Sequence, residues 1–169
     1  MTSANTSANK VKSRAEAKTK AVDLVRREEK AMAMGKRLAM KEGEDYYKAY
    51  LKKVEENGSN LEKMDLLDMA IKADDQLAPR GHRAQLRFFM SDYEGAKADA
   101  KAWVKIMKKE CKNKKEVQNT QMQSLLFHCY LEENNLQAAS LILNRDFTKE
   151  SEQYLKHKKE FEEAKNERL

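Results

Sequence analysis

The chain has 169 residues and a formal net charge of +6, and 37% of its residues are Asp, Glu, Lys or Arg, against about 25% in an average globular protein. Five glycines and a single proline supply few of the residues that bound strands and tight turns, which disfavours β architectures and points to long helices. No run approaches the roughly 18 apolar residues of a membrane span, and the N-terminus lacks the apolar core of a secretory signal. The two cysteines, Cys111 and Cys129, then read as free thiols in a reducing, cytoplasmic setting.

Charge is unevenly placed: residues 1–41 hold 11 Lys or Arg against 4 Asp or Glu, while the remainder is close to neutral. Residues 1–13, MTSANTSANKVKS, are small and polar, and they predict a disordered basic arm because ordering them would cost backbone entropy with nothing to bury. Residues 14–41 predict a basic helix of Ala, Lys, Arg, Glu and Met. Its apolar stripe, Val22, Val25 and Leu38, is thin, as in a helix that needs a partner or frays. From Glu44 to Asn57, Tyr47, Tyr50, Leu51 and Val54 fall at three- and four-residue steps and predict an amphipathic helix stopped by Asn57-Gly58. Ser59 and Glu62 form a capping-box pattern that opens the next helix. That helix carries Leu61, Met64, Leu67, Ala70 and Ile71 on one face and is expected to end before Pro79.

A third helix is expected from Arg80 to Met90, with Ala84, Leu86, Phe88 and Phe89. Ser91-Asp92 is a connector whose aspartate can cap a fourth helix, Tyr93 to Glu110. KECKNKKEVQNT, residues 109–120, reads as a polar, basic linker. Gln121–Leu131 and Leu136–Leu143 form another pair around EENN, and Thr148 is a candidate cap for a charged C-terminal helix over 148–169. The expected organisation is three hairpins over residues 44–147, with a helix at each end.

Segments opening near Glu44, Leu77 and Thr120 can be laid over one another. In the first, Tyr47, Tyr50 and Val54 line one helix, Gly58 makes the turn, and Leu67 and Ala70 line the second. The last has Leu126 and Tyr130, then Asn134-Asn135, then Ala139 and Leu143. In the middle, Ala84 precedes SDYEGA, and Ala96, Ala100 and Trp103 follow. The pattern resembles the tetratricopeptide repeat over about residues 44–147, with DYEGAKADAKAW very like a turn and second helix of that family. Leu51, Lys63 and Asp146 stand where the family places small residues. The resemblance implies an all-α fold: a short right-handed stack of antiparallel helical hairpins, with small residues such as Ala96 and Ala139 at close helix contacts.

The resemblance also implies a non-enzymatic scaffold or adaptor whose first helices form a groove for a peptide or helix of a partner protein. Lys48, Lys52, Gln85, Phe89, Ser124 and His128 are the expected groove positions. Three repeats are near the lower limit for a free-standing array, so a place in a larger complex is consistent with them. An alternative class is a nucleic-acid-associated protein that contacts phosphates through Lys10, Lys12, Arg14, Lys18, Lys20, Arg26 and Arg27. Little in the sequence favours an enzyme. No glycine-rich phosphate loop is present, Cys111 has no accompanying His or Asn motif, and most carboxylates alternate with lysine as on solvated helix faces. His82, His128 and His157 stand at no metal-binding step from one another, and adjacent His128 and Cys129 point about 100° apart on a helix. No metal or cofactor is expected.

Overall fold

A computed structural model describes the backbone of residues 3–110 and 120–167 and the side chains of residues 25–109 and 121–167. The described residues form seven α-helices and no strand: α1 (Ser3–Glu55), α2 (Asn60–Ala73), α3 (Leu77–Phe89), α4 (Tyr93–Glu110), α5 (Thr120–Glu132), α6 (Leu136–Asp146) and α7 (Glu152–Asn166). The chain divides into two compact units, Met1–Glu42 and Gly43–Leu169. No helix among the described residues is long and apolar enough to cross a membrane.

In the first unit, Val25, Met32, Met34, Leu38 and Met40 are all exposed, in keeping with the thin apolar stripe. Helical backbone starts at Ser3, within the segment expected to be a disordered arm. Extending a helix fixes one residue per hydrogen bond, whereas starting one fixes several, so a strong helix-forming segment can carry weaker residues before it. The side chains of Lys10, Lys12, Arg14, Lys18 and Lys20 lie outside the described residues, as does the linker 111–119 with Cys111.

The separate helix expected from Glu44 is instead the end of α1. Gly43 sits inside that helix because the end of α2 comes close to it: a Cβ there would meet Asp74 Cβ at 3.1 Å and the Ala70 carbonyl oxygen at 3.2 Å. Consecutive helices from α2 to α7 pack as hairpins, and α3 also touches α5, as α5 touches α7.

Three interhelical turns repeat one geometry. Asn57, Ser91 and Asn134 each have φ near +60°, the left-handed conformation that Asn adopts more readily than most side chains. At each, the next amide closes back on the helix: Gly58 N–H donates to Lys53 O at 2.8 Å, Asp92 N–H to Arg87 O at 2.9 Å and Asn135 N–H to Tyr130 O at 2.8 Å. These are Schellman closures, which satisfy carbonyls that the ending helix leaves free. The following helices are capped at once. Ser59 and Glu62 form the expected capping box, Asp92 Oδ1 accepts from Gly95 N–H at 2.9 Å, and Asn135 Oδ1 accepts from Ala138 N–H at 3.0 Å.

Some boundaries differ from expectation. α2 ends at Ala73, before Pro79 as expected, but α3 begins at Leu77 rather than Arg80, so Pro79 lies in its first turn, where its missing N–H would have had no partner within the helix. Ser151, not Thr148, caps α7: its Oγ accepts from Tyr154 N–H at 3.1 Å, while Ser151 itself donates to Thr148 O. Leu51, Val54 and Leu61 are exposed, so the apolar faces of α1 and α2 are narrower than their periodicity suggests.

The core of the second unit has two parts. Ala84, Ala100, Trp103, Met122 and Leu126 form one, among α3, α4 and α5. Phe127, Ala139, Ile142, Leu143, Phe147 and Tyr154 form the other, among α5, α6 and α7. Ala84, Ala96, Ala100 and Ala139 are wholly buried, as small residues at close helix crossings should be. Gly81 lets the Trp103 indole approach, since a Cβ there would lie 3.3 Å from Trp103 Nε1.

A buried ion network joins α3 to α4. Asp99 is 2% exposed; its carboxylate accepts from Arg80 at 2.9 Å, from Arg83 at 2.6 and 2.8 Å and from Arg87 at 3.0 Å. Lys97, also buried, binds Glu94 on its own helix and Glu133 at the end of α5.

Candidate functional site

Ring-to-ring contacts link several helices of the second unit, among them α3, α5 and α7. Tyr50, near the end of α1, and His82 on α3 hydrogen-bond through the Tyr50 hydroxyl and His82 Nδ1 at 3.1 Å, with Tyr47 stacked on Tyr50. Burial pushes the His82 imidazole below its ordinary pKa, because desolvation penalises the cationic form. Phe88 on α3 meets His128 on α5, and His128 meets His157 on α7 with ring centroids 5.0 Å apart.

Between α3 and α5, floored by Trp103 of α4, lies a cavity of about 330 Å³. Leu77, Ala78, Gly81, His82 and Gln85 line it from α3, and Gln121 and Met122 from α5. Its volume falls at the lower end of the range for ligand pockets, about 300–1,000 Å³.

The groove residues expected from the sequence separate into two groups. Lys48 and Lys52 are exposed and pair loosely with Glu44 at 4.0 Å and Glu56 at 3.6 Å, contacts that hold such side chains weakly. Gln85 lines the cavity, and Phe89 is 78% exposed. Ser124 and His128, by contrast, are engaged by α7. Ser124 Oγ and His157 Nε2 are 2.8 Å apart, and His128 Nε2 lies 3.1 Å from Glu160 Oε2.

His128, His157 and Glu160 are brought together although no spacing in the sequence joins all three. His157 Nδ1 lies 2.9 Å from the same Glu160 Oε2, and one potential ligand atom from each residue falls within 4.8 Å of the others. The expectation that the histidines are scattered therefore holds along the chain but not in space, because α7 packs on α5. The local sign was His157 and Glu160 at positions i and i+3, one helical turn apart. Burial pushes the Glu160 carboxyl upward, but the hydrogen bond from His157 and the interactions with His128 outweigh it and hold its pKa below the usual range.

Cys129 is fully buried, and burial, reinforced by the charge of Glu133, pushes its thiol up to about 12. A thiol so placed is neutral at ordinary pH and a poor nucleophile. Arg26 and Arg27 are exposed on α1 and make no ion pair among the described residues. No protein-family model matches the chain, and no curated protein matches it.

Proposed function

We propose that residues 44–147 act as a non-enzymatic, tetratricopeptide-like interaction scaffold that holds a peptide or helix of a partner protein. The observation that carries this reading is the hollow between α3 and α5, lined chiefly by residues of those two helices and containing Gln85. It can take one or two side chains of an extended or helical ligand, with the Gln85 amide able to bond a backbone group. Exposed Lys48 and Lys52 favour an acidic partner.

The test is selection of peptides from a random display library on the full chain, followed by affinity measurement on Ala78→Trp. Ala78 is an exposed lining residue, so the indole fills the hollow without entering the core. Selected peptides should lose about tenfold or more in affinity, the scale of one lost apolar anchor, with the thermal midpoint unchanged. Peptides that bind both proteins equally would remove the hollow from the reading, and a library that yields no binder would remove the reading itself.

A second reading, binding to nucleic acid through the basic N-terminal segment, draws on the exposure of Arg26 and Arg27. Its mark is a linear fall of log affinity with log salt whose slope shrinks by about 0.9 per contact removed on duplex DNA, or about 0.7 on single strands. Arg26→Gln with Arg27→Gln should show that loss, and an unchanged slope excludes contacts at these positions.

A further inference from the structure

We propose that His128, His157 and Glu160 bind one divalent transition-metal ion of the zinc class, joining α7 to α5. Two imidazoles and a carboxylate are a donor set suited to zinc and its neighbours, and three protein ligands with one open position is a common zinc arrangement. With metal–ligand bonds of about 2.0–2.1 Å, ligand atoms at adjacent corners of a tetrahedron stand about 3.3 Å apart. The His128–Glu160 and His157–Glu160 separations of 3.1 and 2.9 Å come within a few tenths of an ångström of that spacing. The His128 and His157 ligand atoms lie within 4.8 Å of each other, so binding requires the two imidazoles to draw together by rotation of side chains already in place.

The surroundings of His157 supply an independent argument. A ligating histidine generally donates its other ring N–H to an oxygen, which fixes the tautomer that offers a lone pair to the metal. Ser124 Oγ lies 2.8 Å from His157 Nε2, so Nε2–H can donate to the hydroxyl, and Nδ1, which faces Glu160, offers its lone pair once metal binding releases its proton to solvent. The rings of Phe127 and Phe147 lie 4.8 and 5.1 Å from the His157 ring, and both phenylalanines are buried. They exclude water from one side of the cluster and hold the imidazole in place. On the other side, His128 and Glu160 keep about a third of their side-chain surface exposed (35% and 29%), which provides an entry path and room for a water ligand. The nearby cation is Lys156, whose Nζ stands 4.0 Å from Glu160 Oε1; its side chain is 71% exposed and free to swing into solvent as the ion arrives.

The site is independent of the peptide-binding reading, since it lies between α5 and α7 and uses none of the residues lining the hollow. The experiment is titration of the full chain, free of any affinity tag and stripped with chelator, first with cobalt(II) and then with zinc in competition. One equivalent of cobalt should give the visible absorption of a four-coordinate nitrogen and oxygen site, and zinc should displace it. The thermal midpoint should rise with zinc concentration, as linkage requires of a ligand that binds only the folded protein.

His128→Asn and Glu160→Gln, both at partly exposed positions, should weaken binding about 100-fold or more. Ser124→Ala should weaken it about tenfold, the lower end of the effect of losing a partner that orients a ligand. His82→Gln should leave affinity unchanged. Far-UV circular dichroism and the metal-free thermal midpoint of each variant check that helix content and folding match the parent protein. Absence of cobalt uptake, or uptake that His128→Asn and Glu160→Gln leave intact, would overturn the proposal and leave the cluster as a hydrogen-bonded latch.

Discussion

Replacing Asp99 with Ala removes the centre of the α3–α4 ion network and tests how much of the fold depends on it. The Asp99 carboxylate receives four hydrogen bonds from three arginines at 2.6–3.0 Å. The guanidinium of Arg83 is raised above its already high pKa, first by its bond to Asp99, with burial opposing. Removing one partner of a buried ion pair costs about 3–5 kcal/mol, because the charges left behind are poorly solvated. Here the cost falls toward the lower end, since each arginine keeps another partner: Arg80 keeps Asp75 at 2.6 Å, Arg83 keeps Asp68 at 2.6 Å and Arg87 keeps Asp92 at 3.5 Å. A loss of about 3 kcal/mol corresponds to a midpoint about 10–15 °C lower for a unit of this size.

The comparison variant is Asp68→Ala. Asp68 makes an equally short contact to Arg83 but is 49% exposed, and pairs of that kind contribute about 1 kcal/mol or less. Thermal and urea unfolding followed at 222 nm should therefore separate the two variants by about 2 kcal/mol. Equal effects would show that burial of the carboxylate does not set the energy and would refute the reasoning.

Two further outcomes test the packing and the α1–α3 contact. Ala96 is wholly buried in α4, and Ala96→Leu should destabilise by about 1–3 kcal/mol through overpacking; an unchanged melting temperature would remove Ala96 from a close helix contact. His82 titrates lower in the folded chain than its ordinary value of 6.5, so the unfolded state takes up its proton first, and this contribution to stability is lost as pH falls from about 6.5 toward the folded value. His82→Gln should shrink the stability difference between about pH 7.5 and about pH 5.5, and a difference equal to that of the parent protein would show that His82 is not the group responsible.

The turns were the most legible part of the fold because their causes are local. Asn57, Ser91-Asp92 and Asn134-Asn135 advertise left-handed backbone and helix caps within two or three residues, and all three form hairpin turns. The first two turn residues stand 34 residues apart and the last two 43, so the hairpins recur in the sequence despite the lysine-rich insertion. What escaped was non-local. The break expected near residue 42 is absent because Gly43 serves a contact with Asp74 rather than a helix stop. Arg80, Arg83 and Arg87 share a face of α3, but nothing local to α4 shows that Asp99 is buried against them. His128 and His157 lie on different helices, and only the packing of α7 on α5 makes them neighbours.

That same packing changes where a partner could be held. The resemblance distributed the expected contacts along all three first helices, from Lys48 to His128. Ser124 and His128 are instead joined to α7 through His157 and Glu160, and a ligand that recruited their polar atoms would have to compete with those contacts. Lys48, Lys52 and Phe89 remain exposed, and Gln85 lines the hollow. Of the expected groove positions, those not engaged by α7 lie at the end of α1 and on α3. The two proposed activities are physically separable for this reason: an ion at the α5–α7 cluster would fasten α7 while leaving the hollow between α3 and α5 open.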